Sequence, residues 1–167
     1  MSETYVEWLV KREPSFGGRL VKTVLIMLAV VFGLLGFIGV AYGIPLLVAA
    51  AAGLGAYFAH LNTYIEYEYL YLDRELSVDK IKAQTRRKKV ATFEVDRIEI
   101  LAPIKSYHLD NYKNRTAKET DYSIGREEQP DKRYVMYYEG SQKIILSPNE
   151  ELVKAIRSVS PRKVFLD

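Results

Sequence analysis

The chain has 167 residues, 24 Lys and Arg against 21 Asp and Glu, and no cysteine, which excludes disulfides, thiolate nucleophiles and cysteine-based metal sites. Its net charge is +3, and the four basic residues Lys11, Arg12, Arg19 and Lys22 lie close to the first apolar run. From Leu61 onward the two signs nearly balance, so nothing supports a nucleic-acid partner.

Between Thr23 and Ile65 there is no Lys, Arg, Asp or Glu. That run is too long for one core helix and long enough for two membrane spans, since a hydrocarbon thickness of ~30 Å takes roughly 20 helical residues. Residues 1–20 precede it. There Tyr5, Trp8, Leu9 and Arg12 fall on one helical face, which predicts a short interfacial helix with Trp and Tyr at headgroup depth. Packing against the soluble domain would produce the same pattern. Pro14 and Gly17-Gly18 end the segment and bend the chain into the first span.

Residues 21–62 are predicted to form a transmembrane helical hairpin, with spans over Thr23–Ala41 and Ile44–Leu61. Tyr42-Gly43-Ile44-Pro45 reads as the turn, because proline suits the first helical position and not the interior. A tight hairpin leaves both termini in one compartment. Lys11, Arg12, Arg19 and Lys22 flank the first span and the turn carries no charge, so that compartment is expected to be the cytoplasm, on a multi-pass cell-membrane protein. A cleaved signal peptide is the rival reading, but its apolar region would be shorter and followed by a small-x-small site. Gly36, Gly39, Gly43, Ala49, Gly53 and Ala56 provide small-xxx-small spacings. They suit close packing within the hairpin, or self-association and docking to another membrane protein.

Residues 63–167 change period. Ile65, Tyr67, Tyr69 and Tyr71 alternate with Glu66 and Glu68, predicting a strand with one buried face. Asp73-Arg74 reads as a two-residue turn, and Glu75–Lys82 as the returning strand. Further strands are expected at 89–95 and 97–102. From Lys105 to Lys132 the pattern is poor, predicting one or two short strands and a long exposed loop. Arg133–Glu139, a Gly140-Ser141 turn and Lys143–Leu146 form a second hairpin. In the last helix Ser147 is the expected N-cap, with Pro148 in the first helical position and Glu150 completing a capping box. Leu152, Val153, Ile156 and Val159 make its apolar stripe.

The order Tyr69-Leu-Tyr-Leu-Asp-Arg-Glu-Leu76, Arg86-Arg-Lys-Lys89, Phe93-Glu-Val-Asp-Arg-Ile98 and Asn149-Glu-Glu-Leu-Val153 resembles bacterial pleckstrin-homology-like membrane proteins with an N-terminal two-helix hairpin. The resemblance covers about residues 20–160. It implies an α+β membrane protein: a transmembrane hairpin, then an antiparallel β-rich PH-like domain closed by a C-terminal helix. It also implies no enzymatic activity.

The residues themselves carry no catalytic, cofactor or metal signature; GxSxG, phosphate-loop and HExxH motifs are not found. His60 reads as an interfacial polar residue at a span end. His108 lies near Asp110 with no nucleophile beside it. Glu66 and Glu68 share a strand face at a spacing of roughly 7 Å and read as the solvated face of an edge strand. Asn114-Arg-Thr116 matches a glycosylation pattern that a cytoplasmic domain would not use. The strongest charge feature is Lys80, Lys82, Arg86, Arg87, Lys88 and Lys89, uninterrupted by acid. It is either a solvated turn that discourages edge pairing or a contact for anionic lipid headgroups. Counting outward along one strand and back along the next returns 83–89 to headgroup height. The expected role is a non-catalytic module that scaffolds a protein partner, or a homo-oligomer, on the bilayer. A transporter accessory subunit and a membrane-bound enzyme are the alternatives.

Overall fold

The computed structural model describes residues 5–39 and 43–166, so Tyr42 of the predicted turn lies outside the described residues. The chain divides into two compact units: residues 14–65 with 82–85, and the rest. In the first, helix α1 spans Phe16–Phe37 and helix α2 spans Ile44–Thr63. Both are long and apolar enough to cross a membrane. Ser15 caps α1, its hydroxyl accepting from the Gly18 N–H. The helices meet at Gly36, where a Cβ would stand 2.5 Å from Leu46 Cγ and 3.2 Å from the Leu46 nitrogen. Gly39 and Gly43 serve the turn instead, each with φ near 85°, a region that side chains with a Cβ avoid. Ala52 and Ala56 are buried, Ala49 is half-buried, and Gly53 faces open space. Small-residue spacing thus marks two separate jobs, close approach and chain reversal.

Residues 82–85 fold with the foot of this hairpin. The Ala83 N–H donates to the Tyr64 carbonyl at 2.7 Å, and Lys82 Nζ to Asn62 Oδ1 at 2.8 Å.

The second unit contains two four-stranded sheets. In sheet A the order is β1 (Val6–Lys11), β2 (Ile65–Leu72), β3 (Glu75–Lys82) and β4 (Arg86–Glu94). In sheet B it is β5 (Ile98–Pro103), β7 (Tyr134–Tyr138), β8 (Gln142–Leu146) and β6 (Lys118–Asp121). The pairs β5–β7 and β7–β8 are antiparallel, whereas β6 lies parallel to β8. The C-terminal helix α3 is Glu150–Val159, with Leu152, Val153, Ala155 and Ile156 buried.

β1 is the main departure from the helix expected at residues 5–12. Val6, Trp8 and Val10 alternate, while Tyr5, Trp8, Leu9 and Arg12 recur helically, and β2 offers the alternating set Tyr71, Tyr69 and Tyr67 as cross-strand partners. Val6 and Val10 are buried by that pairing, and residues up to Glu13 belong with the β domain, not with the hairpin. A short isolated helix has no comparable gain.

Three hairpin turns place two consecutive residues at positive φ: Asp73-Arg74, Ala83-Gln84 and Glu139-Gly140. This is the type I′ pattern whose twist matches that of the strands. The third turn sits one residue earlier than the predicted Gly140-Ser141, since Glu139 rather than Ser141 takes the left-handed conformation.

Part of the poorly patterned stretch is a cover. A 3-10 turn at Tyr107–Tyr112 brings Leu109 and Tyr112 over Ile100, Ala102, Val135, Tyr137 and Ile145 of sheet B, helped by Ala117 and Phe165. After α3, Val164 bridges to Leu101, and Leu101 exchanges backbone hydrogen bonds with Lys163 and Phe165. These contacts cover the centre of sheet B, while residues 110–111, 113–116, 118–119, 125–127 and 129–130 of the predicted loop are exposed.

The cap of α3 is Asn149, whose Oδ1 accepts from the Leu152 N–H at 2.9 Å. Ser147 still belongs to the end of β8: its N–H donates to the Tyr69 hydroxyl at 3.1 Å and its hydroxyl accepts from Ile124 N–H at 3.2 Å. With that oxygen engaged, the helix starts two residues later than the capping box suggested. Asn149→Ala is expected to cost about 1 kcal/mol and lower the melting temperature in detergent by a few degrees. Replacing Ala83-Gln84 by Asn-Gly should raise stability by about 1–2 kcal/mol, by relieving two left-handed residues. Thermal melts of the full chain measure both.

Candidate binding groove beside Trp8

Trp8 sits opposite Tyr69 in the β1–β2 ladder and is 39% exposed, while its neighbours on the same face, Val6 and Val10, are buried. Its indole N–H donates to the Ser147 carbonyl at 3.0 Å, fixing the ring against the start of α3. Beyond it, Arg12 donates to the Asp121 carbonyl at 2.8 Å and to Asp121 Oδ2 at 3.1 Å. Glu13 N–H donates to Ile124 O at 2.8 Å. Of the two readings of this segment, a membrane-interface helix and packing against the β domain, these bonds fit the second. Leu9 stands opposite Glu68 and Tyr5 is exposed, its hydroxyl donating to Glu7.

Ser147 and Tyr69 anchor this region from below. The Tyr69 hydroxyl, on a fully buried side chain, donates to Tyr122 O at 2.6 Å and accepts from Ser147 N–H. Burial pushes its phenol well above the ordinary range, while the Ser147 N–H works weakly the other way, so the hydroxyl stays neutral and fills both roles.

Next to Trp8 a cavity of about 260 Å³ runs along Leu9, Val10 and Lys11, with Ile124, Arg126, Arg133 and Pro148 opposite. A second cavity of about 410 Å³ shares Trp8, Asp131, Lys132 and Pro148 with the first and continues to Asn149, Glu150 and Val153 of α3. The walls are largely apolar and the rim is charged. Arg126 is neutralised by Glu13 and Glu128, both at 3.0 Å. Asp131, its side chain 2% exposed, pairs with Arg133 at 2.7 Å, and the Arg133 hydrogen bonds hold its carboxyl below the usual range.

The basic run is divided. Its Arg86–Lys89 portion is strand β4, not a turn, because Ala83 and Gln84 reverse the chain earlier. Arg87 is drawn into sheet A: it forms ion pairs with Glu68 and with Asp79, the latter at 2.7 Å. Both carboxylates are buried, and Asp79 Oδ1 has no hydrogen-bond partner. Glu68 is buried because β1 covers the edge that the sequence left to solvent, so Arg87 serves as a counter-charge within the sheet. Arg86, Lys88 and Lys89 are exposed. Lys80 is half-buried 6.0 Å from the Tyr67 ring centre, and Lys82 is bound to Asn62. His60 packs on Tyr64, and His108 stacks on Phe165 at 3.7 Å.

The fold is therefore two sheets with a C-terminal helix and a groove beside Trp8. The family described as Bacterial PH-like domain (DUF6106) matches residues 2–166. The chain belongs to this family. A comparison with curated proteins found no match. Sequence reasoning missed the groove because its far wall comes from the poorly patterned 124–133 stretch. The alternation of Val6, Trp8 and Val10 was the signal that would have placed its near wall.

Removing Arg87 should leave two buried carboxylates without a counter-charge. Arg87→Met is expected to cost about 2 kcal/mol, below the full value for a buried pair because the guanidinium is half-exposed. Adding Glu68→Gln and Asp79→Asn should recover most of it, whereas Arg86→Gln, Lys88→Gln and Lys89→Gln should each stay within about 0.5 kcal/mol. Asp131 has the usual carboxylate sign: depressed in the folded state, it stabilises fully above about pH 4 and loses that contribution as pH falls through its lowered value. Denaturant titrations should therefore show Asp131→Asn less stable than the parent at pH 7, with the gap narrowing below pH 4.

Proposed function

We propose that this protein is a membrane-anchored, non-catalytic PH-like module that holds a protein partner, or a second copy of itself, at the cytoplasmic face of the membrane. The observation that carries this reading is α1, a 22-residue helix with no buried residue, attached to a PH-like domain. Phe16, Leu20, Met27, Val30, Leu34 and Phe37 are all exposed. Apolar area left in water costs roughly 25 cal/mol per Å², and continuous apolar faces on this scale mark something that covers them. A helix of this length reaches ~33 Å, which suits a hydrocarbon layer of ~30 Å.

Arg19 and Lys22 at the start of α1, with no charge on the described residues flanking the α1–α2 turn, support a cytoplasmic domain. Arg86, Lys88 and Lys89 are exposed and follow a turn that folds with the hairpin foot, which supports a contact with anionic headgroups. Arg87 takes no part in it.

The chain has no cysteine, so single cysteines report topology cleanly. In intact cells Ser158→Cys should resist a membrane-impermeant maleimide until permeabilisation, and Tyr42→Cys should react. The opposite pattern would reverse the orientation, and release of the chain by alkaline carbonate would remove the anchor. In nanodiscs containing phosphatidylglycerol, acetylation of Lys88 and Lys89 should slow relative to phosphatidylcholine alone; equal rates would remove the lipid contact.

A further inference from the structure

The groove beside Trp8 has a wall made of backbone. β1 is the end strand of sheet A, and all its ladder partners lie in β2. On its outer side, among the described residues, the next backbone hydrogen bond is that of Glu13 with Ile124, beyond the end of β1. A strand edge left open in this way is a template for another strand unless it is covered. Here it borders a cavity of about 260 Å³.

The side chains say what kind of strand fits. Trp8, Ile124 and Pro148 offer apolar surface. Arg126 and Arg133 have spent their charge on Glu13, Glu128 and Asp131. Lys11 and Lys132 are both exposed and both line the cavity, and neither is in an ion pair named above; Lys11 stands opposite Glu66 in the ladder. The unspent charge of the groove is therefore positive. A lipid headgroup would use the lysines but neither the strand edge nor the apolar wall.

We propose that an extended acidic segment of a protein partner adds to sheet A along β1, with carboxylates at Lys11 and Lys132 and an apolar side chain against Trp8. Backbone hydrogen bonds would supply affinity and the alternating side chains would supply selectivity, as in other strand additions. This rests on the reading of the protein as a module that holds a partner, and it names that partner's chemistry.

Trp8 is the single tryptophan of the chain and reports directly on the groove. The full chain in phosphatidylcholine nanodiscs is panned against a random peptide library, and enriched peptides are titrated by Trp8 fluorescence. Peptides alternating acidic and apolar residues should be enriched and should shift the emission. Lys11→Glu with Lys132→Glu should weaken them about tenfold or more, Lys11→Gln with Lys132→Gln less, with parental melting temperatures. Backbone N-methylation of the peptides should abolish binding. Enrichment without acidic bias, or affinity indifferent to both double variants, overturns the proposal. So does emission that follows phosphatidylglycerol content and no peptide, which would assign the groove to lipid. A cellular partner still crosslinked by the charge-reversed chain overturns the groove while sparing the module reading; no partner with either chain removes the module reading itself.

Discussion

The pairing of β1 with β2 is the constraint on which the remaining architecture depends. Its register runs from Val6↔Tyr71 to Lys11↔Glu66, so the strand that precedes the helical hairpin and the strand that follows it lie side by side. Closing so long a loop costs entropy that grows only slowly with length, and the ladder is reinforced by Arg12–Asp121 and Glu13–Ile124. The same pairing turns β2 into an interior strand, which is why Glu68 is buried and requires Arg87.

Ser147 shows how little polar chemistry is needed to join the layers. Its N–H, carbonyl and hydroxyl each take a partner from a different part of the chain: Tyr69, Trp8 and Ile124. Tyr69 in turn reaches Tyr122. Each bond is worth about 1 kcal/mol net, but leaving one of these buried groups unpaired costs about 1–3 kcal/mol, so the set is more sensitive to deletion than its mean strength implies. One consequence is positional. The start of α3, the edge of sheet A and the 121–124 segment are tied together where the groove opens.

Charges in this protein divide into those that are spent and those that are not. Arg12 and Arg133 each face a carboxylate, and Arg87 and Arg126 each face two. Lys11, Lys132, Arg86, Lys88 and Lys89 are in none of these ion pairs. Arginine's planar fork suits the paired roles and lysine's flexible, strongly hydrated head suits exposed ones. Sorting the basic residues in this way separates structural counter-charges from the groups that remain to meet a ligand or a membrane, a distinction that a count of consecutive basic residues cannot make.

By itself the sequence determined what depends on local pattern: the two long apolar helices, the tyrosine strand with its Asp73-Arg74 reversal, the Tyr134–Leu146 hairpin and the amphipathic last helix. Each has a period or a turn that neighbouring residues enforce. Only the tertiary structure decided what depends on distant partners. Residues 5–12 satisfy helical and alternating periods alike, and β2 chose between them. Ser147 and Asn149 are both good caps, and a bond from Ile124 removed one. Arg86 to Lys89 look equivalent in one dimension, and two carboxylates buried in sheet A selected Arg87. The groove was illegible for the same reason: β1, the 124–133 segment and the start of α3 are far apart in the chain, and only the folded packing brings them to one place.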